Sequence, residues 1–207
     1  MTLNLKFGDK RTSFILKDES GYKDFAEKKS KNGQQLNDYY ISKFAMMSQT
    51  HSDIIEEVNK PGIYKADGII TEKKDLRLTI QTADCMPVLL ADEKKVGAIH
   101  IGWQGIENKI FHKAILKFDI SKLKIIIGPH AKKCCYEVKE DLYIKFNEYC
   151  IRDKDNIFLD LTREIANFSK ENNIKLNISD ICTIHDERYF SFRRDSTKLR
   201  QLSQIWI

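Results

Sequence analysis

Short apolar runs separated by turn residues dominate the first half of the chain. They are rich in β-branched residues, which is typical of strands. The predicted strands cover 12–16, 45–48, 52–58, 67–71, 76–81, 88–91 and 96–101. Polar segments at 22–30 and 37–44 are predicted as helices. The pattern therefore predicts one strand, then two helices, and then a dense series of strands.

The second half alternates helices with strands. Apolar residues recur at helical spacing over 106–118, which predicts a helix there. The other predicted elements are helices over 137–149 and 160–171 and strands over 123–127 and 178–183. This order favours an α/β (mixed α+β) fold. We expect a single layered domain over 1–207, with mixed β-sheets flanked by helices.

Composition narrows the function classes without choosing among them. The 35 basic and 30 acidic residues give a net charge of +5, spread along the chain, whereas nucleic-acid binding needs a concentrated basic face. Five cysteines, two of them adjacent, do not indicate a disulfide framework. The sequence shows neither a signal-peptide pattern nor an apolar run of bilayer-spanning length. We expect a cytoplasmic protein with no nucleic-acid or membrane partner.

One cysteine and two histidines occupy positions that suggest shared chemistry. Cys85 comes just before an apolar strand, and His100 closes the next strand, after a turn at 91–95. Adjacent strands lie a few ångströms apart, so we expect both side chains to face one pocket. His51 stands upstream in a polar segment. Two imidazole nitrogens and one thiolate would leave a fourth position open on zinc, as a catalytic zinc requires.

Asp84 and the turn after His100 extend this candidate site. Burying the Asp84 carboxylate costs several kcal/mol unless a cation or hydrogen-bond donors compensate, and a metal at Cys85 would do so. The glycines of Gly102-Trp103-Gln104-Gly105 allow close backbone approach by a ligand. A structural interpretation stays open for each residue, because cysteine is often a small buried residue and a single histidine beside a strand is usually a core or turn residue.

Two later clusters are further candidates. The run Cys134-Cys135-Tyr136-Glu137 opens a predicted helix, where Glu137 is either a capping residue or a pocket residue. Arg193 and Arg194 stand beside aromatic residues and would point to opposite faces if they lie in a strand. The planar fork of arginine fits phosphate or carboxylate. We expect one arginine to be structural and the other to face the site.

Together, these segments resemble the bacterial laccase-domain family. Its members were long labelled multicopper polyphenol oxidases and are now regarded as purine nucleoside phosphorylases with adenosine deaminase activity. An ordered set of motifs is more specific than any one motif. The resemblance covers roughly residues 45–207 and rests on 49–52, 66–71, 81–92, 98–103, 127–129, 134–138, 182–183, 190–195 and 202–207.

The resemblance implies a layered α/β domain, related to toxin deamidases that use a Cys–His pair, and a zinc cofactor rather than copper. The metal ligands that carry over from the family's motifs are His51, Cys85 and His100. The expected catalytic residues are Asp84, Cys85 and Glu137, and the expected substrate-binding residues are Trp103, Gln104, Tyr136, Arg193 and Arg194. Family members usually have arginine at the position of Gln104. If that arginine holds phosphate, another cation must serve here, with Lys132, Lys133, Arg193 and Arg194 as candidates.

The resulting hypothesis is a zinc-dependent enzyme acting on purine nucleosides and phosphate. It would convert adenosine, inosine and S-methyl-5'-thioadenosine to base and (thio)ribose 1-phosphate, and it would deaminate adenosine. One alternative is a cysteine hydrolase or amidase that uses Cys85 and His100. Others are a non-catalytic binding protein and a copper-dependent polyphenol oxidase, the latter disfavoured by a total of five histidines. The oligomeric state stays open.

Overall fold

The computed structural model describes residues 2–7, 10–15 and 43–207, and it places the strands of these residues in three sheets. In chain order the strands are β1 Thr2–Phe7, β2 Lys10–Ile15, β3 Phe44–Met47, β4 Ile55–Glu57, β5 Gly62–Tyr64, β6 Gly68–Thr71, β7 Arg77–Thr82, β8 Met86–Ala91, β9 Val96–Ile101, β10 Lys124–Ile127, β11 Glu137–Val138, β12 Cys150–Asp153, β13 Asn156–Leu159, β14 Lys175–Ile178 and β15 Gln201–Trp206. The helices are α1 Trp103–Glu107, α2 Ile110–Ile115, α3 Glu140–Phe146, α4 Arg163–Glu171 and α5 Phe192–Asp195, with 3-10 turns at Ile120–Lys122 and Asn147–Tyr149.

Two six-stranded sheets build most of the fold. The first has the order β1-β2-β15-β7-β3-β5, and the second has the order β14-β10-β8-β9-β6-β4. Both are mixed. In the first, β3 pairs in parallel with β5 and β7 while β15 pairs antiparallel with β2 and β7. In the second, β10 pairs in parallel with β14 and antiparallel with β8. A small third sheet, β11-β13-β12, lies in the second half of the chain. The predicted layered α/β (mixed α+β) class is confirmed.

The hairpin of β8 and β9 forms the centre of the second sheet. Every residue of both strands is buried, and the register pairs Met86 with Ile101 and Pro87 with His100. Cys85 immediately precedes β8, so it lies beside the end of β9. The expected proximity of Cys85 and His100 follows directly from this register.

Side chains on the two faces of this hairpin enter two different cores. Along β8, Val88 and Leu90 join a core that also contains α1, α2 and α4, whereas Leu89 and Ala91 join a core shared with the first sheet. This alternation is the period of two that a strand imposes on its side chains. The second sheet is therefore covered by helices on one face and by the first sheet on the other.

Several predicted elements have different bounds in the structure. The predicted helix 106–118 is divided into α1 and α2 by Lys109, whose φ of 57° is left-handed. The predicted helix 137–149 begins with strand β11, and its helical part starts only at Glu140. The predicted helix 160–171 starts later, at Arg163, because the Asp160 carboxylate accepts the Thr162 amide in a turn.

Other predictions were wrong or fall outside the described residues. The predicted strand 178–183 is wrong, because the strand is β14, whose Ile178 already pairs with the last residue of β10. The helices predicted over 22–30 and most of 37–44 lie outside the described residues, and Phe44 belongs to β3. The described helices include none with the length and apolar character needed to cross a membrane.

The central hairpin should dominate stability. Leu90 is fully buried in β8, whereas Leu116 is 80% exposed. We expect Leu90→Ala to lower the free energy of unfolding by about 2–5 kcal/mol, since it leaves a cavity between the sheet and the helices. The matched control Leu116→Ala should change it by at most about 0.5 kcal/mol. Urea unfolding followed by circular dichroism measures both, and equal losses would contradict the assigned core.

Candidate active site

A buried carboxylate, Asp67, lies at the base of the candidate site just before β6. It is fully buried and accepts five hydrogen bonds. Its Oδ1 accepts from the His51 amide at 3.1 Å and faces His100 Nδ1 at 2.8 Å. Its Oδ2 accepts from the Thr50 amide and from both the amide and the hydroxyl of Ser52. Asp67 thus connects the 50–52 segment to the end of β9.

This network fixes the charge and the orientation of His100. Burial disfavours the charged imidazole, but the hydrogen bond to Asp67 and the contact with Cys85 outweigh it and raise the pKa of His100 to about 9. Burial likewise opposes the Asp67 carboxylate, but the donors around it hold its pKa below the ordinary range. Because Nδ1 of His100 is taken by Asp67, its Nε2 is left to act toward the site.

His51 reaches the site from a tight loop between β3 and β4. Its φ of 59° lies in the left-handed region. Residues other than glycine rarely adopt this backbone conformation unless surrounding contacts stabilise it. Support comes from Asp67 on one side and from Gln49 on the other. Gln49 forms a reciprocal pair with the backbone of Gln81, donating to its carbonyl at 2.8 Å and accepting from its amide at 2.9 Å. The loop is therefore tied to β6 and to β7.

The side chains of His51, Cys85 and His100 meet at one point. Their three ligand atoms lie within 4.8 Å of one another, and Cys85 Sγ is 3.6 Å from His51 Nε2. The two imidazole rings stand edge to face with centroids 4.8 Å apart. Burial opposes a thiolate at Cys85, but the two histidines outweigh it and lower the pKa of Cys85 to about 6.

This donor set fits a metal ion. Two imidazoles and one thiolate suit zinc, and copper also accepts such ligands. The Asp67 carboxylate behind His100 is the outer partner that metal-binding histidines usually have. Gly102 allows the close approach, because a Cβ there would lie 3.1 Å from Cys85 Sγ and 3.2 Å from His51 Cδ2. The structure thus assembles the three predicted ligands around one position.

A cavity of about 540 Å³ opens above these three side chains. That volume suits a small organic ligand. Its walls combine aromatic, amide and cationic groups, and the residues that line it are Met47, Gln49, His51, Gln81, Thr82, Ala83, Asp84, Cys85, His100, Gly102, Trp103, Tyr136, Phe192, Arg193 and Arg200. The cavity therefore offers surfaces for a flat ring and for an anion beside the three converging side chains.

Hydrogen bonds compensate the buried carboxylate of Asp84, which is one of the two possibilities that the sequence left open. Its Oδ1 accepts from the Thr183 hydroxyl at 2.8 Å, and its Oδ2 accepts from the Arg193 amide at 2.7 Å. Its carbonyl accepts from the Ala131 amide. With a φ of 89°, Asp84 connects three segments and aims the following residue, Cys85, into the site.

The two adjacent arginines have different surroundings. Arg194 donates to the carbonyls of Thr183, Ile184 and Tyr189 and pairs with Asp195. Its fork is engaged in holding the chain, so the expected substrate-binding role of Arg194 finds no support in this geometry. Arg193 lines the cavity, and its guanidinium carbon lies 5.2 Å from the Tyr136 ring centroid. Arg193 is thus the arginine that faces the site.

The other predicted substrate-binding and catalytic residues also divide into those that line the cavity and those that do not. Trp103 and Tyr136 line the cavity. Gln104, in α1, and the exposed Glu137, at the start of β11, do not belong to the described residues that line it. Burial raises the pKa of Tyr136 to about 12, so its phenol stays protonated. The geometry therefore favours Tyr136 over Glu137 as a group that contacts a ligand.

Some residues of the site were missed at the sequence level. Asp67 has no role in the sequence-based hypothesis, although a lone carboxylate inside the apolar run 66–71 is a signal for one. Gln49, Gln81 and Arg200 line the cavity from separate segments. Gln49 and Gln81 lie in motifs of the family resemblance but have no predicted role, and Arg200 lies outside those motifs. Only the fold brings these three residues together.

Comparison with known proteins agrees with this geometry. Residues 17–207 match a family model described as multi-copper polyphenol oxidoreductase laccase. The chain belongs to this laccase-domain family. The expected resemblance is confirmed, and the match begins well before residue 45, where the quoted motifs start.

Curated relatives of this laccase-domain chain are named purine nucleoside phosphorylases. One, from Clostridium acetobutylicum, is 34% identical over 186 residues, covering 82% of this chain and 79% of the relative. Another, from Aquifex aeolicus, is 33% identical over 165 residues, covering 77% and 80%.

Solved structures show the same fold. YlmD from Geobacillus stearothermophilus has a TM-score of 0.80 at 19% identity and covers 97% of this chain and 92% of its own. A Neisseria meningitidis protein has a TM-score of 0.79 at 21% identity, covering 100% and 98%.

Asp67 should control metal affinity through His100. In Asp67→Asn, an amide replaces an acceptor that faces five donors, so we expect metal affinity to fall about 10- to 100-fold and the free energy of unfolding to fall by about 1–3 kcal/mol. Chelator competition and urea unfolding measure the two effects. The control Asp75→Asn alters an exposed aspartate that also has a left-handed φ, of 62°. Unchanged metal affinity in a folded Asp67→Asn protein would contradict this role.

Proposed function

We propose that this protein is a zinc-dependent purine nucleoside phosphorylase that also deaminates adenosine. The observation that carries the proposal is the meeting of His51, Cys85 and His100 beneath a cavity lined by aromatic and arginine side chains. The curated relatives named purine nucleoside phosphorylase support the same reaction class. Phosphorolysis transfers the ribosyl group from the base to phosphate, and deamination exchanges the amino group at C6 for oxygen from water.

His51, Cys85 and His100 would hold the zinc ion. A zinc ion with three protein ligands activates a bound water or polarises a substrate oxygen near neutral pH. Asp67 keeps His100 oriented with Nδ1 bonded at 2.8 Å, and Gly102 leaves room for the three donors to close on one point. The role of the protein in this part of the site is to fix donors that would otherwise be mobile.

Trp103 and Tyr136 are the groups proposed to hold the purine. Both line the cavity and both are partly buried. Trp103 offers a ring face to a flat base, and Tyr136 offers its phenol edge. Aromatic stacking on a nucleobase contributes about 1–3 kcal/mol per base. The side-chain amide of Gln81 lies in the same cavity and supplies a polar contact, whereas that of Gln49 is engaged by the Gln81 backbone.

Arg193 and Arg200 are proposed to hold the phosphate. Both line the cavity, which Arg194 does not, although Nη1 of Arg200 also donates to the carbonyls of Thr197 and Leu199. A guanidinium fork matches phosphate oxygens in geometry as well as in charge. They supply the cation that Gln104 does not. The Arg193 backbone is fixed by the Asp84 carboxylate at 2.7 Å, and its guanidinium donates to the Glu137 carbonyl at 2.6 Å. Phosphate would then meet a cation that is already positioned.

Departure of the purine requires a proton. As the phosphate oxygen bonds to the anomeric carbon, the bond from that carbon to the base nitrogen breaks and its electron pair stays on the base. Both carboxylate oxygens of Asp84 already accept hydrogen bonds, and Glu137 lies outside the group of described residues that line the cavity. We therefore assign proton donation to the Tyr136 phenol, because its hydroxyl group lines the cavity.

The direct test is to incubate the purified protein with adenosine and phosphate and to identify the products. We expect adenine and ribose 1-phosphate from phosphorolysis, and inosine with ammonia from deamination, resolved by chromatography. Cys85→Ser should lower both rates at least about 100-fold because it removes a metal ligand. The control Cys150→Ser changes a buried cysteine outside the cavity and should retain activity. Absence of product from adenosine, inosine and S-methyl-5'-thioadenosine would refute the proposal.

A cysteine hydrolase is the second candidate, and one observation favours it. Cys85 Sγ lies 3.6 Å from His51 Nε2, and the two histidines lower the pKa of the thiol to about 6 although burial opposes it. A thiolate beside an imidazolium is the state that a cysteine nucleophile needs. The two candidates therefore share residues but differ in whether a metal is required.

Chelation separates these candidates. For the zinc enzyme we expect freshly isolated protein to contain zinc, activity to vanish with a chelator, and added zinc to restore it. Zinc content should fall in Cys85→Ser and stay constant in Cys150→Ser. A cysteine hydrolase would keep its activity after chelation and lose it irreversibly with iodoacetamide, and that pair of results would transfer the assignment to the nucleophilic mechanism.

Polyphenol oxidation, which the family description names, has less support in the geometry. Within residues 2–7, 10–15 and 43–207, the side-chain groups able to hold a metal are the His51, Cys85 and His100 set and a set of three cysteines. A multicopper oxidase needs several copper ions held largely by imidazoles, and the whole chain has five histidines. Copper in place of zinc in the isolated protein would favour the oxidase.

A further inference from the structure

Three cysteines converge at a second place in the fold. Cys134 and Cys135 are adjacent in the turn before β11, and Cys182 comes from the segment after β14. The sulfurs of Cys134 and Cys135 are 3.3 Å apart, and all three sulfurs lie within 4.8 Å of one another. All three cysteines are free thiols. This group is called the thiol cluster below.

The spacing fits one metal ion. With metal–sulfur bonds of about 2.3 Å, thiolates around a tetrahedral ion lie about 3.8 Å apart. The sulfurs of the thiol cluster are already close to this arrangement. Thiolate ligands select soft ions such as zinc and copper(I). Cys134 is exposed, Cys135 is half-buried and Cys182 is buried, so an ion would enter from the Cys134 side and keep its fourth position toward solvent.

Backbone amides support the buried member of the cluster. Cys182 Sγ accepts from the Lys132 amide at 3.4 Å. Amide donors to sulfur are outer partners of the kind that orient ligands in metal sites.

The thiol cluster is separate from the active site. None of its three cysteines is among the described residues that line the cavity above Cys85. It lies where the 130–137 segment meets the 182–185 segment, since residues 130 and 182 form a parallel bridge and the Thr183 amide donates to the His130 carbonyl. These two segments carry Tyr136 and Thr183, which respectively line the cavity and hold Asp84.

We propose that Cys134, Cys135 and Cys182 form a second metal site, which binds a single thiophilic ion of the zinc or copper(I) type. The ion cross-links the 130–137 segment to the 182–185 segment. Its role is structural, because it stabilises the wall that holds Tyr136 and the support of Asp84 without contacting a ligand in the cavity. The proposal stands apart from the assigned reaction, because it depends on different side chains.

Cadmium titration tests the site without reference to activity. The parent protein is Cys85→Ser, purified under reducing conditions, so that any sulfur-to-cadmium absorption arises from the other four cysteines. We expect one equivalent of Cd²⁺ to produce this absorption band. Excess Zn²⁺ or Cu⁺ should displace the bound Cd²⁺ and abolish the band. The ion that competes more strongly is the one that the site favours. Adding Cys134→Ser or Cys182→Ser should weaken binding by more than the roughly 10- to 100-fold that loss of an outer partner costs.

The same set of cysteine variants provides a control and the results that would contradict the proposed site. Cys150→Ser in the same parent removes a cysteine outside the cluster and should leave the titration unchanged. Cys134 is exposed, so its substitution tests the site even if Cys182→Ser fails to fold, which circular dichroism reports. The proposal is overturned if the parent gives no band, if the band is unchanged in folded Cys134→Ser, or if the cluster is isolated as a disulfide under reducing conditions.

Discussion

The arrangement of the candidate active site depends on the buried carboxylate of Asp67. A buried charge without partners is strongly unfavourable, and Asp67 is stabilised by donors from the 50–52 segment and from His100. These donors come from opposite sides of the site, so satisfying one carboxylate brings His51 and His100 together. The metal fit, the lowered pKa of Cys85 and the left-handed backbone at His51 all follow from this convergence.

Local patterns predicted the central part of the fold and half of the site. A short turn between two apolar strands fixes their register, so the proximity of Cys85 and His100 could be predicted without a structure. The position of His51 could not, because it depends on long-range hydrogen bonds to Asp67 and on the Gln49–Gln81 pair. Predicted helix bounds were wrong where a left-handed residue interrupts the periodic pattern, as at Lys109.

The two arginines show how a correct expectation can rest on a wrong premise. We expected one inward and one structural arginine because a strand alternates its side chains, yet Arg193 and Arg194 lie in the short helix α5. The Ser191 hydroxyl accepts the Arg194 amide and Asp84 accepts the Arg193 amide. These contacts, and not alternation, aim Arg193 at the cavity. Only tertiary structure determines which of the two arginines lines the cavity.

The charged groups beneath the cavity would stabilise a bound metal ion and a nucleophilic thiolate equally well. Their charges alone therefore do not distinguish the two candidate functions. A thiolate beside a protonated imidazole satisfies the same groups that a cation between them would satisfy. The arrangement of atoms is more selective. A nucleophile needs one histidine, whereas here two approach the same sulfur. Gly102 keeps the space around that sulfur open, because a Cβ at this position would lie 3.1 Å from Cys85 Sγ. Three donors directed at one point, with a carboxylate behind one of them, are the features of an ion site, which is why the metal-dependent reaction is the better explanation.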